Sequence, residues 1–274
     1  MKRNLVYIIL AFSLGCVFNV SATELNFVNI KDSVSYIRLD DPDETALTLD
    51  IKIDYSLPTQ GIENVNLIKM TDMLISLTGL HFDVEGYPVP SLRTHYPEGR
   101  WVPATPANSV GVMQRIHSDD NEVQFLLWSE EAVIRPIYQD KQRLSMLASN
   151  HYYTGGPAFS YFDFCVNYSL EEQKFIYLDD LFPGIDNPDL KPLYLHELST
   201  LLTEKATQIL SAIPSGVHKL LLDHVPPTRN FTFTADGIAM RYMPMDITSR
   251  DAGIVEIPLT YSEINSIVKS VINK

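Results

Sequence analysis

Alternating apolar and polar residues on both sides of short polar turns are the feature of this sequence that most constrains its fold. Such alternation is typical of strands with one buried face, and a polar turn between two such strands predicts a β-hairpin. The pattern occurs three times, and the last hairpin turns at Asp236-Gly237, a pair that favours tight turns. The hairpins are predicted over 31–55, 161–178 and 231–242.

Three other stretches carry apolar residues at helical spacing. Helices are predicted over 62–79 and over 190–213, where an apolar stripe runs along the whole segment. A closing helix is predicted at the C-terminus, where Thr260 and Glu263 have the spacing of a capping box. Helices interspersed with hairpins, rather than with single strands, predict an α+β fold: a mainly antiparallel sheet with hairpins, packed against two or three helices.

Residues 1–22 have the composition of a signal peptide. Lys2 and Arg3 precede an apolar stretch of about 14 residues, and Val20-Ser21-Ala22 has the small residues of a cleavage site. As a helix the apolar stretch would span roughly 21 Å, whereas a bilayer core is about 30 Å thick. We therefore expect cleavage before Thr23, and a periplasmic or secreted chain with no membrane span after processing.

The two cysteines bear on this expectation. Lipidation at Cys16 is the alternative, and it would anchor the chain to a membrane; Ser13 stands where lipoprotein signals usually have leucine. Cleavage before Thr23 removes Cys16 and leaves Cys165 alone, so the mature chain can form no intramolecular disulfide. A lone thiol of this kind is more often a small buried apolar group than a nucleophile.

The charge of the chain excludes some classes of partner. The net charge is −13, and removing Lys2 and Arg3 makes it −15. A chain this acidic is repelled by nucleic acids and by anionic membrane surfaces, so neither is an expected partner. It would favour encounter with a basic protein. Acidity also promotes solubility, so the charge alone identifies no partner.

The length of the mature chain suits one large domain or two small ones. We divide it into an N-terminal α+β segment, 23–144, and a C-terminal α+β segment, 145–274, which we expect to pack as one unit. The first contains a stretch, 86–108, whose five prolines exclude a regular helix or a central strand. We predict a long loop there, and long loops often carry function. Its candidate ligand-binding residues are Tyr96, Arg100 and Trp101.

Most sequence motifs of common enzymes and cofactor sites are absent. There is no G-x-S-x-G, no phosphate-binding glycine loop, no dinucleotide fingerprint and no H-E-x-x-H. We therefore predict no catalytic residue, no metal and no cofactor. The adjacent carboxylates Asp179 and Asp180 are an alternative acidic site, because paired carboxylates can perform acid–base chemistry. A carboxylate in such a position also often caps a turn.

The segment Tyr152-Tyr153-Thr154-Gly155-Gly156 is the clearest candidate for a binding element. Adjacent glycines permit a positive φ and a close approach of the backbone to a ligand. The neighbouring aromatic rings can stack on a sugar or fill a groove in a partner protein. The alternative is a tight turn over the core. The candidate ligand-binding residues here are Tyr152, Tyr153, Gly155 and Gly156.

Four elements, in order, resemble a family of bacterial envelope domains of unknown function. These domains occur in the ectodomain of the RsiV anti-sigma factor and beside polysaccharide deacetylase domains. The elements lie in the C-terminal half of the chain. They are YYTGG at 152–156, LDDLF at 178–182, FTFTADGI at 231–238 and AGIVEIPLTYSE at 252–263.

The resemblance implies a mixed α+β fold, a location outside the cytoplasm, and ligand binding rather than catalysis. RsiV-type members are similar to receptors for lysozyme, a strongly basic protein. Pro157-Ala158 stands where the family usually has Ala-His. We expect no cytoplasmic anti-sigma segment and no attached deacetylase domain.

The sequence thus predicts an exported, non-catalytic binding protein of the cell envelope. Its expected ligand is a protein, for example a basic lysozyme-like protein, or a cell-wall glycan. The alternative is a hydrolase of cell-wall polymers that uses carboxylates such as Asp179 and Asp180. A purely structural envelope protein is a third possibility.

Overall fold

A computed structural model of the chain describes residues 25–38, 48–82, 88–89, 101–105, 127–153, 160–213 and 219–273. The predicted signal peptide and Cys16 lie outside these stretches. The strands are β1 (Asn26–Arg38), β2 (Thr48–Gln60), β3 (His81–Phe82), β4 (Pro88–Val89), β5 (Trp101–Pro103), β6 (Leu127–Gln139), β7 (Arg143–Tyr153), β8 (Ser160–Ser169), β9 (Lys174–Ile176), β10 (Phe231–Phe233), β11 (Gly237–Tyr242) and β12 (Val255–Thr260). The helices are α1 (Asn64–Leu77), α2 (Leu178–Leu181), α3 (Lys191–Ser211) and α4 (Tyr261–Ile272), with a 3-10 turn at Arg250–Ala252.

The chain forms two compact units. Unit 1 comprises residues 1–135 and 148–162, and unit 2 comprises residues 136–147 and 163–274. The domain boundary that the sequence suggests between residues 144 and 145 stays a prediction.

The largest sheet in the part of the chain that the structure describes has seven strands. Their order is β5-β1-β2-β6-β7-β8-β9. The predicted first hairpin is confirmed, because β1 and β2 pair antiparallel with Ile37 opposite Thr48. By contrast, β2 and β6 run parallel, from Thr48 opposite Leu127 to Tyr55 opposite Ile134. The α+β prediction is confirmed; the parallel pair is the part of the sheet that the hairpin pattern did not predict.

In unit 1, strand β2 and helix α1 form the core. Alternate residues of β2 are buried because successive side chains of a strand point to opposite faces. Helix α1 falls inside the predicted 62–79, and it buries Leu67, Met70 and Leu74 along one face. The sequence pattern therefore located both elements.

The prediction of a loop throughout 86–108 is wrong at two places. Pro88–Val89 pairs with His81–Phe82, and Trp101–Pro103 pairs with β1, placing Trp101 opposite Arg38. Both strands are short, and β5 is an edge strand of the large sheet, where proline is tolerated because no second neighbour needs its missing N–H. The prolines therefore limited the length and position of strands rather than excluding them.

In unit 2, helices α3 and α4 enclose the core with a three-stranded antiparallel sheet, β10-β11-β12. The predicted hairpin around Asp236-Gly237 is confirmed, with Phe231 opposite Met240. Helix α3 buries one stripe, and helix α4 begins with the predicted capping box, in which the backbone N–H of Glu263 donates to Thr260 Oγ1 and the Thr260 backbone N–H donates to the Glu263 carboxylate. The buried stripe of α3 is Tyr194, Leu198, Leu202, Ala206 and Leu210.

Arg143, at the start of β7, connects the turn before it to helix α4. Its guanidinium donates to Asp140 Oδ2 at 3.0 Å and to the hydroxyl of Tyr261, and it lies 5.4 Å from the ring centre of Phe233. Partial burial of Asp140 acts to raise the pKa of its carboxyl, but hydrogen bonds from Arg143, Tyr138 and two backbone N–H groups lower this pKa to about 2. Asp140 is therefore ionised at neutral pH and stabilises the turn as an anion.

Gly237 is required where β11 approaches β12. A Cβ at this position would lie 1.9 Å from the carbonyl oxygen of Leu259 and 2.8 Å from Cα of Thr260. Both atoms belong to the backbone of the paired strand, so they cannot move without breaking the ladder. The glycine of the predicted turn is thus needed for close strand approach, in addition to any role in turning.

We predict that Gly237→Ala lowers the free energy of unfolding by more than about 2 kcal/mol, because the added methyl group overlaps backbone atoms. The measurement is urea denaturation followed by circular dichroism. Gly184→Ala is the matched control. Gly184 has φ +80°, but its added Cβ would meet side-chain atoms alone, the flexible end of Leu190 at 3.0 Å and Asn187 Cβ at 3.9 Å, so we expect a loss of about 1 kcal/mol. A smaller loss at Gly237 than at Gly184 would contradict the packing argument.

Candidate functional site

The predicted binding element begins at the end of strand β7. Tyr152 and Tyr153 are its last two residues, and the side chains of both are partly exposed. Gly155 and Gly156 lie outside the described residues, as do Tyr96 and Arg100 of the proline-rich stretch. The structure therefore shows the aromatic half of the element on a regular strand.

Two ring pairs join the end of β7 to the start of β8, both within unit 1. Tyr152 stacks on Phe162, with ring centres 5.8 Å apart and planes at 28°. His151 contacts Tyr161, with ring centres 5.5 Å apart and planes at 52°. Consecutive strand residues point to opposite faces, so the two pairs occupy opposite sides of the sheet. We call these four residues the ring pairs.

The ring pairs remain at the surface. Phe162 keeps 40% of its side chain exposed, Tyr152 is partly exposed and His151 is exposed. Each ring contacts an aromatic ring of the neighbouring strand, which limits its rotation, while solvent reaches part of it. Rings held in place and partly exposed are suited to binding because little conformational entropy is lost when a ligand stacks on them.

Phe162 was not among the predicted site residues. Phe162, Phe164, Val166 and Tyr168 alternate along β8 and so share one face of the strand, but alternation does not tell which part of that face is covered. In the structure Val166 and Tyr168 are buried whereas Phe162 and Phe164 are exposed. The sequence therefore carries no signal that separates Phe162 from the buried residues of its face.

A buried hydrogen-bond network in unit 1 lies next to the ring pairs. Asn150, two residues before Tyr152, donates from Nδ2 to the carbonyl oxygen of Thr78 and to Glu130 Oε1, at 2.6 Å each. The Thr78 hydroxyl donates to the carbonyl of Ile75 at 2.7 Å and lies 3.1 Å from the hydroxyl of Tyr55. Asn150 and Glu130 are 3% and 1% exposed, so these polar groups interact away from water.

This network fixes the end of β7 against helix α1. Thr78 is the C-terminal cap of α1, and its carbonyl is one of the groups that a helix end leaves without an intrahelical donor. Burial raises the pKa of Tyr55 to about 12; the hydrogen bond with Thr78 opposes this and the charge of Glu130 adds to it. Tyr55 therefore stays a neutral hydroxyl, and the network holds the strand that carries the ring pairs.

A second buried polar group lies in unit 2. Arg241 Nη2 donates to Asp163 Oδ2 at 2.7 Å, with the two side chains 11% and 5% exposed, and Arg241 also bonds Glu256. Asn230 donates to the carbonyl of Asp163 at 2.7 Å and accepts the backbone N–H of Cys165 at 2.9 Å. The two Nη atoms of Arg241 pair with Asp163 and Glu256, whereas its buried Nε has no hydrogen-bond partner among the described residues. Pairing of a buried arginine with a carboxylate in this way is typical of a structural ion pair.

Cys165 is not poised for nucleophilic chemistry. Burial raises the pKa of its thiol to about 12; Arg241 opposes this shift, while the charges of Asp163 and Glu256 add to it. The thiolate is the reactive form of cysteine, and it is almost unpopulated at neutral pH when the pKa is this high. This agrees with the interpretation of Cys165 as a small, mostly buried side chain.

The candidate acidic site is part of a helix start. Asp179 and Asp180 lie exposed in α2, and Asp180 Oδ2 accepts the backbone N–H of Tyr177 at 2.8 Å. Lys174 lies 3.8 Å from Asp180 and forms a closer pair, at 2.7 Å, with Glu172. Asp180 therefore serves to cap α2, which is the turn-capping alternative that the sequence left open.

Trp101 and the ring pairs lie on different parts of unit 1. Trp101 begins β5, and three strands, β1, β2 and β6, separate β5 from β7. At about 4.8 Å between neighbouring strands, β5 and β7 are about 19 Å apart. The two sets of candidate residues therefore do not form one compact site on the backbone of the sheet.

Metal ligands and membrane-spanning helices also bear on the site. Across residues 25–273, apart from the stretches that the structure does not describe, no three histidine, cysteine or acidic side chains come together as metal ligands would. Among the helices that are described, none has the length and apolarity needed to cross a membrane.

Comparisons with known proteins identify the fold. No protein-family model matches the chain, and no curated protein matches it. The chain is similar to the crystal structure of a DUF3298 family protein from Bacteroides fragilis NCTC 9343, with a TM-score of 0.57 and 18% identity over 92% of this chain and 99% of that one. A DUF3298 family protein from Pseudomonas aeruginosa PAO1 has a TM-score of 0.49 and 13% identity over 89% and 94% of the two chains. The first similarity shows a shared fold.

We predict that Asn150→Leu lowers the free energy of unfolding by about 2 to 4 kcal/mol. The leucine is close in size, but it leaves the buried Glu130 carboxylate and the Thr78 carbonyl without the donor they share. Urea denaturation of the parent and the variant measures the loss. Asn26→Ala, which removes an exposed hydrogen bond to Gln60, is the control and should change stability by less than about 0.5 kcal/mol. Equal stability of the two variants would show that the network does not hold β7.

Proposed function

We propose that this chain, which shares the fold of a DUF3298 family protein, is an exported, non-catalytic protein of the cell envelope that binds a protein or a cell-wall glycan. The observation that carries the proposal is the set of ring pairs at the end of β7 and the start of β8. Their rings are partly exposed and restrained by their neighbours, and the buried network around Asn150 anchors the strand beneath them. Such an arrangement offers a preorganised aromatic surface to a ligand.

Charge and sequence resemblance support a basic protein as the ligand. The net charge of −13 favours encounter with a positively charged partner. The four sequence elements similar to RsiV-type domains point in the same direction, because those domains are similar to receptors for lysozyme. A glycan would use the same rings in another way, by stacking a sugar face on Tyr152 or Phe162.

The placement of the acidic residues favours a binding protein over a hydrolase. A hydrolase of wall polymers needs two carboxylates that are free to act on the substrate. Asp180 accepts a backbone N–H of its own helix start, and Asp163 is engaged with Arg241. The Cys165 thiol stays protonated.

Tyr96, Arg100, Gly155 and Gly156 remain candidate contact residues.

We predict that Tyr152→Ala and Phe162→Ala each weaken ligand binding at least 10-fold, because each removes one ring of a stacked pair and leaves its partner unsupported. Binding is measured by titration calorimetry against a lysozyme and against soluble peptidoglycan fragments. Tyr177→Ala is the matched control, since Tyr177 is an exposed tyrosine, 47% accessible, in unit 2, and it should bind like the parent. If the parent binds a ligand and both ring variants bind it with the same affinity, the proposal is contradicted. It is also contradicted if the parent binds neither the lysozyme nor the peptidoglycan fragments.

Trp101→Ala distinguishes the two ligand classes. Strands β5 and β7 lie about 19 Å apart, a distance that the face of a protein covers and a short glycan fragment does not. If the ligand is a protein, we expect Trp101→Ala and Tyr152→Ala both to weaken binding, by about 2 kcal/mol for a central contact. If the ligand is a short glycan, only the ring variants should have an effect.

The export part of the proposal is tested separately. We predict that expression of the full chain in a bacterium yields a periplasmic or secreted product that begins at Thr23, identified by mass spectrometry of the purified N-terminus. A membrane-bound product whose anchoring is abolished by Cys16→Ser would instead support lipidation at Cys16. A cytoplasmic product that retains Met1 would contradict export.

A further inference from the structure

A turn in unit 2 carries a methionine in an unfavourable backbone conformation. Met245 has φ +75°, and the backbone N–H of Asp246 donates to the carbonyl of Met243 at 3.0 Å. The turn is further held by the backbone N–H of Met243, which donates to Asp246 Oδ2 at 2.7 Å. A proline at the second position and a positive φ at the third are typical of a type II turn, in which glycine or asparagine is preferred at the third position.

Met245 is 57% exposed, so burial of its side chain offsets little of this strain. A residue with a Cβ at positive φ raises the free energy of the folded state, whereas glycine at this position would not. Residues other than glycine that adopt a positive φ without a compensating gain in packing recur at functional sites.

Two exposed leucines lie on the neighbouring segment. Leu220 forms a β-bridge with Thr248, and the backbone N–H of Leu221 donates to the carbonyl of Ile247 at 2.9 Å. Leu221 is 55% exposed and Leu222 is 42% exposed. We call Leu221, Leu222 and Met245 the leucine–methionine patch. Isolated exposed apolar residues are common, but three on hydrogen-bonded segments, one of them strained, form the kind of surface that binds a partner.

Exposed acidic residues lie next to the patch on both segments, together with one lysine. Asp223 follows Leu222 and Asp246 follows Met245, and both are exposed; Lys219 lies on the other side of Leu220. The chain as a whole has a net charge of −13. A second copy would bring two such chains together and be repelled, whereas a basic partner would be attracted.

We propose that the leucine–methionine patch binds a basic protein segment that inserts an apolar side chain between lysine or arginine residues. Methionine suits this role because its flexible, polarisable side chain adapts to different apolar groups. The proposal concerns unit 2 and does not depend on the ring pairs, so it stands even if the ring pairs bind nothing.

The test uses the mature chain and a synthetic peptide in which leucine alternates with lysine, with binding followed by fluorescence anisotropy. The comparison peptides carry glutamate in place of lysine, or serine in place of leucine. Met245→Asn and Leu222→Ser should each weaken binding of the leucine–lysine peptide at least 10-fold. Leu195→Ser, which alters an exposed leucine of α3, should bind it like the parent.

Met245→Asn also has a readout that a merely structural role would not give. Asparagine tolerates positive φ, so the melting temperature of the variant should equal or exceed that of the parent even though binding is lost. The proposal is overturned if no peptide binds, if the leucine–glutamate peptide binds equally well, or if Met245→Asn binds like the parent or melts at a lower temperature. Concentration-dependent self-association that Met245→Asn abolishes would assign the patch to a second copy and overturn it as well.

Discussion

Hydrogen bonding of buried polar side chains on β7 and β8 is the constraint on which the rest of the structure depends. Ser145 donates to Asn167 at 2.6 Å, and Asn167 donates to the carbonyl of Phe231 at 2.8 Å, so the two strands are joined to β10 through side chains. Asn150 makes the corresponding connection to α1 in unit 1. A buried polar group without a partner is costly, so each of these residues specifies one position for the element it bonds.

The same constraint explains how far the fold could be predicted. The first hairpin, helix α3 and the capping box of α4 depend on residues close together in sequence, and local alternation, helical periodicity and capping chemistry predicted all three. The parallel pairing of β2 with β6 could not be predicted in this way, because no tight turn connects the two strands. Which strands become neighbours depends on packing across the whole sheet. The burial of Asp163 depends on its ion pair with Arg241, which is 78 positions away, so no local sequence pattern could predict it.

The candidate site was predictable in composition but not in arrangement. The aromatic residues of the YYTGG element pointed to Tyr152, and the structure supplies Phe162 as its ring partner from the next strand. Trp101 and Tyr152 are both predicted ligand-binding candidates, but three strands of the sheet separate the strands that carry them. The sequence alone left the role of Asp180 open, because a carboxylate in the first turn of a short helix can either react or cap the helix. In the structure Asp180 accepts the backbone N–H of Tyr177 and caps α2.

The parallel pairing of β2 with β6 has a consequence for the way the chain folds. Thr48 and Leu127 are partners although 79 positions separate them, so their contact requires closure of a long loop before any of it is stabilised. High contact order of this kind slows folding. Until β6 pairs with β2, the apolar face and one unpaired edge of β2 stay accessible to other chains. We therefore expect the chain to aggregate most readily before this pairing forms.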